Sequence, residues 1–297
     1  MQVIVNSMIY ASQIAVIALG VSMCYSILRF TNFAQIQYAV VGGYLLYVLS
    51  ALLGLPILPA AILAMAGTGL LAVAIDMLVF AKMREATAES KMIASWGVAL
   101  FIRSVIAAIF GGSALYIETN ISLLPLSGVF ITSLDIFVVL ASLGSMVVLH
   151  LALVRTRLGT ALRAMSSNLG LSRARGIPTE TMIRLMWFIV GAFAAMGGIL
   201  VALQTQLTPN MDLSILLPVF AAVAIGGMSN IFGAVAGAFL LSFTQNVLIA
   251  IDFGSLLGGN PWYLPAQFKD LVAVTALVIV LMANLQGRLA RWGKATA

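Results

Sequence analysis

Apolar residues run along this 297-residue chain in long blocks, each interrupted by only a few polar positions. The blocks fall near 5–28, 34–54, 56–81, 92–111, 134–154, 184–206, 213–229, 231–252 and 268–287. A helix needs about 20 mostly apolar residues to cross a bilayer, and nearly every block supplies them. Strands of a membrane barrel would instead alternate apolar and polar positions over about ten residues, and no block does. The pattern predicts an all-α, polytopic integral membrane protein with eight or nine transmembrane helices, organised as one domain over 1–297.

The block pair 213–252 reads LSILLPVFAAVAIGGMSNIFGAVAGAFLLSFTQNVLIAI, with Pro218 and Gly226-Gly227 inside it. Two readings stand. One is a tight turn between two ordinary spans. The other is a broken or re-entrant segment near 213–230, which survives at membrane depth only where protein or water covers its backbone.

Composition agrees with the pattern. The chain is 62% hydrophobic and 8% charged, against roughly 25% charged in soluble domains. Its net charge of +6 is no argument for nucleic acid, because the cations sit between spans. Lys and Arg gather in cytoplasmic loops, and one orientation collects almost all of them. With the loop 155–184 inside, the inner side holds Arg29, Lys82, Arg84, Lys91, the arginines 155, 157, 163, 173, 175 and 184, and Arg288, Arg291 and Lys294. The outer side holds only Lys269, and Arg103 lies within a span. The N-terminus is then outside and the C-terminus cytoplasmic. The start, MQVIVNSMIYASQIAVIALG, has no basic residue ahead of its apolar run, so it reads as a retained span rather than a signal peptide.

Catalytic patterns are missing. His150 stands alone, Cys24 is the single cysteine, and no metal-ligand spacing, phosphate loop or nucleophile elbow occurs. No catalytic or metal-binding residue is expected. The informative segment is RTRLGTALRAMSSNLGLSRARGIPTETMIR, residues 155–184, which holds six of the fifteen Lys and Arg. Leu162, Met165 and Leu169 recur at helical spacing, with Arg163, Ser166, Ser167 and Asn168 elsewhere on the wheel. This predicts a surface amphipathic helix of about three turns, bounded by Gly159 and by Gly170 and Gly176, with Pro178 blocking continuation. Topology alone explains the charge. A docking element for a soluble partner explains the helix as well.

Polar side chains at membrane depth are costly and often functional. Asn32, Gln35, Gln37, Asp76, Arg103, Gln245 and Asn246 are candidates for a substrate path. Arg103 would attract a substrate carboxylate, pair with an acid such as Asp76 or Glu118, or snorkel to the interface. Asp76 would pair with Lys82 or Arg84.

The run RAMSSNLGLSRARGI, with Arg163, Ala164, Asn168, Gly176 and Ile177 in that spacing, resembles the cytoplasmic loop of branched-chain amino-acid ABC importer permeases of the shorter, LivH type. NFAQIQYAVVGGY is similar to that family's Asn-Phe-Ala-His-Gly-Glu element, and AAVAIGGMSNIFGAVAGAFLL to its Ala-Val-Leu-Gly-Gly-rich stretch. Gln35 stands where the family usually has His, and Gln37 where it usually has Glu. The resemblance implies a multi-pass permease of the bacterial inner membrane. Two ATP-binding cassette subunits would carry ATP-Mg, and this chain would hold no cofactor and hydrolyse nothing. A second related permease would complete the pore, and an extracytoplasmic binding protein would deliver substrate. The segment 159–177 would be the coupling helix, with Leu162 and Met165 supplying apolar contact and Arg163, Asn168, Arg173, Arg175 and Gly176 around them. The alternative from another class is a self-contained secondary transporter or channel for a small polar solute, which needs intramembrane carboxylates for coupling.

Overall fold

The computed structural model describes residues 1–118, 122–126, 129–252, 262–265 and 268–285. Arg288, Arg291, Lys294 and the last residues of the block 268–287 lie outside them. Helices α1 (Gln2–Leu28), α2 (Ala34–Tyr47), α3 (Ile57–Leu78), α4 (Ala88–Phe110) and α5 (Ser133–Arg155) form the first part of the chain. A π-helical turn, Val48–Leu52, prolongs α2. Two short helices follow, α6 (Arg157–Ser167) and α7 (Leu169–Ala174). The rest is α8 (Thr179–Gln204), α9 (Met211–Gly226), α10 (Ile231–Ala250) and α11 (Lys269–Leu285).

Among the described residues, seven helices are long and apolar enough to cross a membrane, while α9 has 16 residues and α11 has 17. The chain is therefore an all-α polytopic membrane protein. One small hairpin, β1 (Leu123–Leu126) with β2 (Val129–Thr132), lies between α4 and α5. Four-residue strands in a connection are too short to leave an alternating signature in the sequence. Gln2 fastens the hairpin to the start of α1, its Nε2 donating to the Phe130 carbonyl at 3.2 Å and its Oε1 accepting from the Phe130 N–H at 3.0 Å.

Two helices, α4 and α8, begin four and five residues ahead of their apolar blocks. The side chain of Thr87 caps α4 by accepting from the Ser90 N–H, and α8 opens on the polar turn Thr179-Glu180. Hydropathy cannot see a polar first turn.

α1 is the central pillar. Its spanning segment is 89% buried inside the chain, against 22% for α4 and for α5. It packs on α5, α8, α9 and α10. Small residues let these helices close in, as helices in lipid require. On α2 and α8, a Cβ at Gly42 would meet Ala195 at 2.4 Å, and one at Gly198 would meet the Ala39 carbonyl at 1.8 Å. α9 and α10 cross as closely, with a Cβ at Gly226 falling 2.0 Å from the Gly233 carbonyl.

The interruption in 213–252 lies at the end of α9 rather than within it. The helix continues through Pro218. Gly227, at φ 90°, then turns the chain, and Asn230 caps α10 through the Gly233 N–H at 2.9 Å. Ser22 of α1 donates to the Met228 carbonyl within this turn at 3.0 Å. The connection is a tight turn, and it joins a 16-residue α9 to the spanning helix α10.

Candidate functional site

Three groups of predicted residues separate in space. The first is the α6–α7 segment. α6 does not start at Gly159: Thr156 caps it, its Oγ1 accepting from the Gly159 N–H at 3.1 Å. Gly159 is buried where α6 crosses the end of α5, and a Cβ there would sit 2.0 Å from the Leu153 carbonyl. The guanidinium of Arg163 donates to that same carbonyl. Gly170 lies inside α7 rather than ending a helix. Asn168 makes the break between the two helices, its Oδ1 accepting from the Leu171 N–H at 2.9 Å. Gly176, at φ 82°, turns the chain toward α8.

Leu162 and Met165 were expected to face a partner, and the structure corrects this. They are 3% and 1% exposed and belong to the chain's own core. An amphipathic helix on a membrane body turns its apolar face inward, because the body's apolar surface is already there to receive it. They anchor α6 instead. The outward surface carries Arg155, Arg157, Arg173 and Arg175 with the exposed leucines Leu158 and Leu171.

Hydrogen bonds and ion pairs tie this segment to the spanning helices. Arg29, at the end of α1, donates to the Ser166 carbonyl at 2.8 Å. Arg173 reaches Thr179 at 3.3 Å and Glu180 at 3.4 Å. Glu180 lies 3.6 Å from Arg84, and Arg84 pairs with Asp76 at 2.8 Å. Asp76 thus finds one of its two expected partners, and a continuous charge chain joins α7, α8, the α3–α4 connection and α3.

The second group is buried between α2, α4 and α9. Arg103 pairs with neither Asp76 nor Glu118 but with Asp212. Gln37 donates to the same Asp212 oxygen, Oδ2, at 2.7 Å. Nearby on α2, Gln35 donates to the Val190 carbonyl at 2.9 Å, and Gly20 of α1 leaves the space it occupies: a Cβ there would fall 2.6 Å from the amide nitrogen. Asn32 precedes α2, its Oδ1 accepting from the Ala34 N–H at 3.2 Å. Among the described residues, Asn32 Nδ2, Gln35 Oε1, Gln37 Oε1, Arg103 Nε and Asp212 Oδ1 have no hydrogen-bond partner. Asp212 was not among the sequence candidates, because the apolar block began at 213 and left it in a loop. Asn210 and Asp212 ahead of the apolar run were the available sign of a helix start.

The third group, Gln245 and Asn246, is not with the second. It lies on α10 near α11, where Gln245 donates to the Lys269 carbonyl at 2.8 Å. Asn246 donates to the Ser242 carbonyl of its own helix at 2.9 Å.

Amides and paired charges thus lie buried within a bundle of apolar helices that also carries a cationic surface segment. The profile of the family described as "Branched-chain amino acid transport system / permease component" matches residues 3–281, and the chain belongs to that family. A probable branched-chain amino acid transport permease protein LivH from Methanocaldococcus jannaschii is 30% identical over 84% of this chain and 82% of its own. The high-affinity branched-chain amino acid transport system permease protein BraD of Pseudomonas aeruginosa is 27% identical over 98% of this chain and 96% of its own. Its counterpart LivH from Escherichia coli K12 is 24% identical over the same shares.

Proposed function

We propose that this chain is the membrane-spanning permease subunit of an ATP-driven importer of branched-chain or related amino acids, acting as a single unit in the bacterial inner membrane. The observation that carries this reading is the α6–α7 segment: anchored by Leu162 and Met165, exposed along its arginines, and linked through Glu180, Arg84 and Asp76 to α3. Such an element suits a lever better than a topology signal, which needs neither the anchor nor the linkage.

In this reading the arginine-bearing end is cytoplasmic, as the distribution of Lys and Arg demands, with the N-terminus outside and the C-terminus inside. Leu158, Leu171 and the outward arginines rest on an ATP-hydrolysing cassette subunit that binds ATP-Mg. Two such subunits, a second related permease and an extracytoplasmic binding protein complete the machine. Closure of the cassettes displaces α6–α7, and the Leu153 corner passes the movement to α5. The residues proposed for the path are Asn32, Gln35, Gln37 and Arg103, now joined by Asp212. Asp76 and Asp212 are both in ion pairs, which leaves neither as a free coupling carboxylate for a secondary transporter.

Co-purification from detergent tests the reading. An ATPase and a second permease should accompany the tagged chain, and an added binding protein should stimulate ATP hydrolysis. A chain that purifies alone and transports in liposomes without ATP would overturn it. Two variants sharpen the test. Gly159→Val should drive a side chain into the Leu153 carbonyl, displace α6 and cut transport-coupled ATP hydrolysis about ten-fold, while the protein still inserts. Arg173→Glu with Arg175→Glu should weaken cassette association at least ten-fold, read as loss of co-purifying ATPase. Unchanged recovery of the ATPase would place the docking surface elsewhere.

A further inference from the structure

At the end of the bundle opposite the arginines, five helix ends surround a cavity of about 450 Å³. Its walls come from the first turns of α1, the start of α5, the end of α8, the end of α10 and the start of α11. Ligand cavities run about 300–1,000 Å³. Two opposite charges face this one, Asp135 and Lys269, and among the described residues neither has an ion-pair partner.

Each charge is held in place. Asp135 accepts from the Thr132 N–H at 2.8 Å through Oδ2 and from Gln204 Nε2 at 2.7 Å through Oδ1. Gln204 is fixed in turn by Gln13, which is 4% exposed and donates to its Oε1 at 2.7 Å. That amide relay holds a carboxylate that lines the cavity, and a helix cap alone would not require it. Across the cavity the Lys269 ammonium lies over the Tyr10 ring, 5.7 Å from its centroid, a cation–π contact that steadies a charge without neutralising it. Ile9, Leu134 and Leu203 line the same cavity. Lys269 is also the only cation that the sequence placed on the outer side.

We propose that this cavity is an entry site for a zwitterionic α-amino acid with an aliphatic side chain, Asp135 taking its ammonium and Lys269 its carboxylate, with the side chain on Ile9, Leu134 and Leu203. The proposal rests on the importer reading and adds to it a place where substrate released outside first meets the permease. A zwitterion needs both charges at once, whereas a neutral amide or polyol needs neither. The opposed, unpaired charges therefore select the class of solute.

The test uses the complete transporter in liposomes with Asn6→Cys as a reporter at the rim of the cavity. Cys24 is the chain's only other cysteine and is fully buried, so a membrane-impermeant maleimide reads position 6, scored by the mass of this chain. L-leucine should slow labelling at least five-fold. Isovaleramide, which keeps the branched tail but carries no charge, should not. Asp135→Asn or Lys269→Gln should abolish protection and lower ATP-driven leucine uptake about ten-fold or more, the size of one lost charge-assisted hydrogen bond. The protection arm uses the native Asp135 and Lys269, so it does not depend on how those variants fold. Absence of protection by leucine, or equal protection by isovaleramide, while the complex still imports leucine, would overturn the site and leave the importer reading standing. A complex that takes up no amino acid on ATP would overturn the importer reading and the site with it.

Discussion

Asp212→Ala is expected to lower stability by roughly 3–5 kcal/mol, the usual cost of stranding one member of a buried ion pair. Asp212 is 3% exposed at its side chain and Arg103 21%, so the arginine left behind would keep little water. Gln37 would lose its acceptor at the same time. A thermal melt of the detergent-purified chain measures the effect. The double variant Arg103→Met, Asp212→Leu should recover most of the loss, because an apolar pair of similar volume often replaces a buried salt bridge without penalty. If the single variant melted where the unmodified chain does, the pair would not hold α4 to α9. α4 is the helix with most to lose, since α2 is its principal packing partner and only 22% of its spanning segment is buried in the chain.

Gly198→Ala should be nearly as damaging. The added methyl would stand 1.8 Å from the Ala39 carbonyl, and two helix backbones must separate to admit it. Overpacking of this kind costs about 1–3 kcal/mol and sometimes more. Gly97→Ala and Gly144→Ala are the controls. Nothing lies within 4 Å of a Cβ at either, so each should be neutral or gain up to about 1 kcal/mol from helix propensity. Equal melting temperatures for Gly198→Ala and these two would mean that α2 and α8 do not touch as described.

The spanning helices were legible because lipid imposes length and apolarity on every one of them. The segment 155–184 was legible too, through its arginines and its helical spacing. The direction of its apolar face was not. Leu162 and Met165 mark a face, and spacing cannot say whether that face meets the chain's own core or another protein. Gly159 looked like a boundary because glycine ends helices, yet it is there for close approach to Leu153. The ion pair of Arg103 was hidden for another reason. Its partner lies more than a hundred positions away on a helix whose first turn is polar, and hydropathy discards such turns. The charged cavity was equally hidden, since Asp135 and Lys269 look like ordinary helix starts until five helix ends are brought together.

The central position of α1 has a consequence for how the chain is made. Gln13 completes its hydrogen bonds with residues 187 and 191 positions later, and the Ser7 carbonyl accepts from a hydroxyl 235 positions later. At roughly 5–20 residues per second of synthesis, about ten to forty seconds separate the emergence of Gln13 from that of its partners. During that interval Gln13 and Ser22 of α1 lack the partners that the folded bundle gives them. Closure of the bundle around α1 therefore waits for α8 and α10.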